Sequence, residues 1–307
     1  MTSIRPDPTR PDPKEHPLVP ASVNLDTVRA VALDVDGTIA GADHQLTPRT
    51  TAALRSLVEH GIPVILLTGR ARQNVLELAR EAGIRNTVAS NNGAVIFDPV
   101  EDTNTTITPM THAEARRILD LGARLGLERT WWSVTDIYVD RDGECSRMLR
   151  ELNERDIIVG DPDELPDDIT KVMLFGSEAE LDEVADRIFD AAPSGTRSMY
   201  CFFEFVAPDA TKWHALETML EEHGVDPAHT LGLGDGGNDL AWLTQIGFPF
   251  AMENARQEVK DIAIGVVGHH AHDGAAEILE ELARSIGADA PAPTAKQQEL
   301  AEQQEDH

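Results

Sequence analysis

Apolar residues fall along the chain in two alternating patterns, short unbroken runs and longer stretches with a single apolar face, which predict a succession of strands and helices. The run over 28–35 is β-branched and apolar, ends in acidic residues and Gly37, and reads as a buried strand. Over 47–60 the apolar positions Ala52, Ala53, Leu54, Leu57 and Val58 share a helix face, entered at Thr47-Pro48 and closed by Gly61. A second buried strand is predicted over 63–67, running into Thr68-Gly69-Arg70, and a helix over 73–82 is stopped by Gly83. Strand, helix, strand, helix with short connections implies a parallel sheet with right-handed crossovers.

From about 97 to 204 the pattern changes. Helices are predicted over 112–125, 145–154 and 178–191, and strands over 130–139, 157–159, 169–175 and 198–206. The earlier rhythm then resumes with a helix over 212–222, a strand over 230–233 and a helix over 239–246. The pattern describes an α/β protein whose parallel-sheet core, 27–95 and 206–287, is interrupted by an inserted α+β domain over 96–205. Residues 1–26 alternate proline with charge and read as a flexible arm, and 288–307 read as an acidic tail with a frayed helix over 296–304.

Composition narrows the function classes. The 307 residues carry 26 Lys and Arg against 54 Asp and Glu, a net charge of −28 with no basic run, which disfavours nucleic acid and anionic membrane surfaces as partners. No apolar run reaches membrane-spanning length and the N-terminus has no apolar signal region, so a cytoplasmic protein is expected, monomeric or homodimeric. Cys145 and Cys201 stand far apart, in no metal or redox spacing. A small phosphorylated partner remains compatible with the charge, because a divalent cation and one or two local bases can reverse the sign of a pocket.

The chemistry is concentrated at strand ends. Asp34 and Asp36 lie where an open parallel sheet binds ligands, and a spacing of two along a strand aims both carboxylates the same way. Two such groups imply a cation or a shared proton. A second cluster, Gly234-Asp235-Gly236-Gly237-Asn238-Asp239, follows another apolar strand. Asp34, Asp36 and Asp235 form a hard oxygen set suited to Mg2+. Thr68 offers a hydroxyl for phosphate near a helix start, and Lys212 a point charge.

These four pieces, in this order and with a cap-sized insertion between the second and third, resemble the haloacid dehalogenase superfamily, and within it the Cof-type phosphatases with a large α/β cap. Asn92-Gly93-Ala94, Ile169-Thr170-Lys171-Val172, Phe203-Glu204-Phe205, Ala251-Met252-Glu253-Asn254-Ala255 and Asp273-Gly274 extend the likeness over about 28–282. The resemblance implies a Rossmann-like core, a mobile cap that sets specificity, and an Asp34 nucleophile that becomes an aspartyl-phosphate. It implies that Asp36 protonates the leaving alcohol and later deprotonates water. Mg2+ would be held by Asp34, the backbone carbonyl of Asp36, and Asp235, while Thr68 and Lys212 stabilise the phosphoryl oxygens. Asn238 and Asp239 would position Lys212 or metal-bound water, and Gly69, Arg70 and Asn92 would face the substrate, the last pair alternatively the cap hinge. An acid at Asp36 favours phosphoesters, since a halide leaves without a proton.

Trp213 follows Lys212 where relatives usually carry glycine, and is expected to pack under the sheet or, alternatively, to narrow the pocket. The cluster His269, His270, His272 fits no zinc spacing and is expected to be solvated, as are His44 and His60. Trp131-Trp132 and the aromatics over 200–205 are expected in the core, with the lining of a substrate pocket as the alternative. A Mg2+-dependent phosphatase acting on a small metabolite such as a sugar, nucleotide or cofactor phosphate is therefore expected. A phosphomutase on the same scaffold and a non-catalytic ligand-binding module are its rivals.

Overall fold

The computed structural model describes residues 23–41, 43–152, 154 and 157–288. Most of the expected arm and tail, with the helix over 296–304, lies outside them.

Strand β1 (Ala30–Leu33) is buried at every position. It leads to helix α1 (Pro48–Glu59), which starts where the Thr47 hydroxyl accepts the Thr50 N–H and proline takes the first turn. Then come β2 (Val64–Leu66) and α2 (Arg72–Ala82), the latter ended by left-handed Gly83. Three antiparallel strands follow, β3 (Val88–Ser90), β4 (Val95–Asp98) and β5 (Thr103–Ile107). The inserted segment continues with α3 (His112–Leu125), β6 (Glu128–Trp132), β7 (Ile137–Val139), α4 (Glu144–Glu151) and β8 (Ile157–Val159). It ends with β9 (Lys171–Phe175), α5 (Glu178–Ala191), β10 (Thr196–Ser198) and β11 (Phe202–Val206). The chain then returns through α6 (Lys212–His223), β12 (Thr230–Gly234), α7 (Leu240–Leu243), β13 (Phe248–Met252), α8 (Gln257–Ile262), β14 (Gly265–Val267) and α9 (Gly274–Ala288).

The core sheet runs β14-β13-β12-β1-β2, parallel throughout. The cap sheet runs β10-β11-β9-β6-β7-β8 and is antiparallel except for β7 and β8. The architecture is thus the expected parallel core with an inserted α+β cap. Register decides what meets at the end of the core sheet. Leu33 of β1 pairs with Leu233 of β12 on one side and Leu66 of β2 on the other. Asp34, Asp235 and Thr68 therefore leave the sheet at the same edge. The chain moves from β1 to β2 on one side and returns as β12 on the other, so this edge is a topological switch point.

Several elements differ from the pattern reading. The run over 130–139 is two strands, β6 and β7, joined by a turn in which Ser133 N–H donates to the Asp136 carbonyl. Both halves bury apolar residues, so the sequence reads as continuous. The run over 198–206 is likewise broken into β10 and β11, with Met199 at φ 53 in the turn. The helix over 239–246 shrinks to a single turn, α7, after a 3-10 turn at Gly237–Asp239. The pattern left β3, β4, β5, β13, α8, β14 and α9 without elements; β5 is exposed along its whole length and offers no apolar signature. The expected core–insert boundary at 95/96 falls inside β4.

Trp131, Phe203 and Phe205 are buried beneath the cap sheet, with Trp131 stacked on Tyr138 at 5.7 Å between centroids. Trp132 and Phe202 belong to a separate buried cluster on the other face, whereas Tyr200, expected in the core, is exposed in the turn between β10 and β11. Trp213 is half-buried and packs against the main core, as expected.

One loop needs glycine for two reasons. Gly93 sits at φ +96, and a Cβ there would lie 2.4 Å from the Thr211 carbonyl oxygen, one residue before Lys212. Gly93→Ala is expected to lower stability by about 2 kcal/mol or more through strain and overpacking, a fall of about 3 °C or more in thermal midpoint. An unchanged midpoint in thermal unfolding would remove this contact from the account.

Candidate active site

Asp34 is the first residue past β1, and the chain turns sharply over Val35–Ile39 immediately after it. The turn depends on Gly37 at φ +77, where a Cβ would lie 2.4 Å from Asp235 Oδ2. Asn254 braces the approach, its Nδ2 donating to the Gly37 carbonyl at 2.8 Å and to Asp235 Oδ2 at 3.3 Å. Thr38 Oγ1 adds bonds to Asp34 Oδ2 at 3.2 Å and Asp235 Oδ1 at 3.5 Å.

Lys212, the first residue of α6, buries its ammonium between two of the carboxylates. Its Nζ donates to Asp34 Oδ1 at 2.6 Å and Asp239 Oδ1 at 2.7 Å. Asp239 also accepts Trp242 Nε1–H at 3.0 Å on Oδ1, and the Asp235 and Gly236 N–H groups at 3.1 and 3.0 Å on Oδ2. The expected role of Asp239 in positioning Lys212 thus has a direct geometric counterpart. Asn238 is exposed on the wall of the same cavity.

Asp34, Asp235 and Asp239 each offer an oxygen within 4.8 Å of the others, the single grouping with metal-ligand geometry among the described residues. Three carboxylates against one ammonium leave two negative charges uncompensated. Burial and the neighbouring Asp239 and Asp235 push the Asp34 carboxyl well above its ordinary range, against the pull of Lys212. Burial and Asp239 likewise push Asp235 up to about 6. Burial disfavours the Lys212 ammonium, but Asp239 and Asp34 outweigh it and hold the group protonated. An all-oxygen set with two excess charges fits Mg2+. Asp239 has its oxygens committed to four donors, so Asp34 and Asp235 are the carboxylates left to bind an ion.

Asp36 points into a different arrangement. Arg70 grips it in two bonds, Nε to Oδ2 at 2.8 Å and Nη2 to Oδ1 at 2.7 Å, and His44 Nδ1 lies 3.0 Å from Oδ1. Burial alone would raise the Asp36 carboxyl, but the Arg70 and His44 bonds hold it well below the usual carboxylate range. The bond to Asp36 raises the His44 imidazole in turn. The metal contact expected of Asp36 is through its main-chain carbonyl, which this side-chain pairing leaves untouched. His44, expected on the surface, instead sits half-buried at φ 60 against Asp36.

Thr68 is buried beside Asp34, its Oγ1 accepting the Arg70 N–H at 3.2 Å. The Gly69 carbonyl accepts Lys171 Nζ at 2.7 Å, and Asn92 Nδ2 donates to Glu204 Oε2 at 2.6 Å. Arg70 and Asn92 are therefore bonded to protein groups at the cavity wall, Arg70 to the core and Asn92 to the cap. The cavity between core and cap holds about 550 Å3 and reaches from Asp34 and Thr68 to Trp132, Lys171, Phe202 and Glu204. His270, from the histidine cluster, also reaches it, with Nδ1 3.0 Å from the Ala40 carbonyl oxygen.

Comparison with known proteins agrees with this geometry. Residues 31–279 match the haloacid dehalogenase-like hydrolase family. The chain belongs to this family. Among similar proteins, phosphatase YwpJ of Bacillus subtilis is 27% identical, with 83% of this chain and 100% of the relative covered. HMP-PP phosphatase of Serratia proteamaculans is 26% identical over 84% of this chain and 96% of its own. A haloacid dehalogenase-like hydrolase from Bacteroides thetaiotaomicron superposes with a TM-score of 0.74 at 24% identity, covering 83% of this chain and 99% of that one. Membership of this family makes the protein a hydrolase, and the relatives it resembles are named as phosphatases. Among the described residues no helix is long and apolar enough to cross a membrane.

Sequence reasoning singled out the groups at the strand ends and passed over His44, Lys171, Glu154 and Glu204 as site residues. Lys171 and Glu204 lie in family-like stretches, which was the one available signal; His44 and Glu154 had none.

The Asp36 pair generates a pH prediction. A carboxyl depressed in the folded state contributes stability that is present above its unfolded value, 3.8, and is lost as pH falls towards the folded one. At pH 7 Asp36→Asn should be less stable by about 1 kcal/mol, a figure discounted because the carboxylate is 43% exposed. The gap should close below about pH 4 in thermal unfolding; a gap constant with pH would rule out the ion pair as its source.

Proposed function

We propose that this haloacid dehalogenase-like hydrolase is a Mg2+-dependent phosphatase of small phosphorylated metabolites that works through an aspartyl-phosphate on Asp34. One observation carries the reading. Asp34, Asp235 and Lys212 converge at a parallel-sheet switch point, with Asp36 two residues beyond the nucleophile. Residues 96–205 would form the cap that closes over the substrate, and 27–95 with 206–287 the catalytic core.

Asp34, Asp235 and the main-chain carbonyl of Asp36 would hold the ion, which supplies positive charge where anionic nucleophile and anionic phosphate meet. Without it two anions about 4 Å apart repel by about 4 kcal/mol at a dielectric near 20, about three decades in rate. An Asp34 carboxylate oxygen forms a bond to phosphorus as the ester P–O bond breaks, and the leaving alkoxide takes a proton from Asp36. Water then forms the new P–O bond, gives its proton to Asp36, and releases Asp34 and inorganic phosphate. Lys212 and Thr68 hold the equatorial oxygens. The Arg70 clamp favours Asp36 as the carboxylate, the base form needed in the second step; the first requires this pair to be protonated or opened. Relatives named for their substrates, such as HMP-PP phosphatase, support a small phosphorylated substrate class.

With Mg2+ present the protein is expected to release phosphate from an aryl phosphate, and chelator should abolish the release. Asp34→Asn should fall to background while circular dichroism stays unchanged; substantial turnover in that variant would overturn the nucleophile. Asp36→Asn should lose more on alkyl than on aryl esters, because the poorer leaving group needs the proton more. Equal losses would count against its acid role. Isomer formation without stoichiometric free phosphate would mark a mutase instead.

A further inference from the structure

The cap contributes three charged side chains to the cavity that the mechanism above leaves without work, Glu154, Lys171 and Glu204. All three reach into the core. Glu154 accepts the Ala71 N–H at 3.1 Å and Asn74 Nδ2–H at 3.0 Å. Glu204 accepts Asn92 Nδ2–H at 2.6 Å on Oε2 and the Ser198 hydroxyl on Oε1. Lys171 donates from Nζ to the Gly69 carbonyl at 2.7 Å. Every core partner in these contacts lies within residues 69–74 or at Asn92, and the Asn92 N–H in turn donates to the Thr68 carbonyl at 2.8 Å. The cap thus grips the segment that begins at Thr68.

Lys171 stands out because of the peptide that it holds. It is the first residue of β9, directly across from Trp132 of β6, and its Nζ lies 3.5 Å above the Trp132 ring centroid. It is 1% exposed, with Glu204 Oε2 at 3.8 Å as its counter-charge. The Gly69 carbonyl and the Arg70 N–H belong to one planar peptide unit. On one edge that unit receives the Lys171 ammonium; on the other its N–H donates to Thr68 Oγ1 at 3.2 Å. A cation on the carbonyl oxygen polarises the amide and strengthens its N–H as a donor. The Thr68 oxygen is then engaged on the protein side, and its proton is left for a phosphate oxygen.

We propose that Lys171 is a positioning residue: from the cap it orients and polarises the Gly69–Arg70 peptide, and that peptide holds the Thr68 hydroxyl ready to donate to the substrate phosphate. The inference rests on the phosphatase reading, in which Thr68 binds phosphate. It ties cap closure to phosphate binding through one hydrogen bond, since lifting the cap removes the ammonium from Gly69.

A double-mutant cycle tests it. Lys171→Met, which keeps a long unbranched side chain, should lower kcat/KM for an aryl phosphate about tenfold or more, the scale of a lost charged hydrogen bond. In a Thr68→Val background, where the hydroxyl that Lys171 serves is gone, the same substitution should cost less than about threefold. Equal fractional losses in both backgrounds would overturn the proposal, because a merely structural lysine has no reason to depend on that hydroxyl. If Lys171→Met does not fold by circular dichroism, Lys171→Gln, which retains an amide donor without the charge, is put through the same cycle and judged by the same criterion. The unaltered protein measured alongside separates the two failures: no Mg2+-dependent phosphate release from it refutes the phosphatase reading itself, whereas additivity in an active protein, with Asp34→Asn at background, refutes only the role of Lys171.

Discussion

The ammonium of Lys212 is the group on which the rest of this site depends. Removing a bare cation from water costs several kcal/mol even after relaxation, so its burial is sustained only because Asp34 and Asp239 both receive it. Asp239 is in turn fixed by Trp242 and by the N–H groups of Asp235 and Gly236. Loss of either carboxylate would leave the buried ammonium short of a counter-charge, and loss of the lysine would strand both carboxylates. The arrangement also leaves more carboxylate than one lysine can neutralise, and that surplus fits the site to a divalent cation.

Such a surplus of like charge is held together by the sheet. Strand β1 lies between β12 and β2, buried at every position, and its register with each neighbour is set by apolar residues on both faces. A slip of one residue would put each β1 side chain on the opposite, differently packed face and carry Asp34 away from Asp235. Apolar packing of the core therefore counterbalances the repulsion at its rim. Asp34 and Asp235 are about two hundred positions apart in the chain, yet each needs only to follow its own strand to arrive.

That is also why these groups were legible in the sequence. A carboxylate just past an apolar run, followed by glycine, carries its placement locally, and the same holds for Thr68 and for Lys212 at a helix start. The core and cap division was legible from the change of rhythm, though strands β6 and β7 merged because their shared turn lacks a glycine or proline. Lys171, Glu154 and Glu204 left no such trace. Their partners at 69–74 and 92 are remote, and nothing in the residues around a lone lysine in an apolar strand says which carbonyl it will meet. His44 was hidden for a related reason, since its contact with Asp36 is made by a loop folding back at positive φ.

The contacts between cap and core have an energetic character suited to a reversible lid. Closing them buries charged side chains, which costs solvation, and returns hydrogen bonds to backbone and amide groups, so the net gain is far smaller than the number of bonds implies. Opening would rehydrate Lys171, Glu154 and Glu204 and so offset much of what those bonds contribute. A cap sealed by an apolar face of the same size would be harder to lift after each turnover. On the proposed reading, the polar groups that join the cap to the loop following Thr68 would couple closure to the reaction centre while keeping release of product within reach.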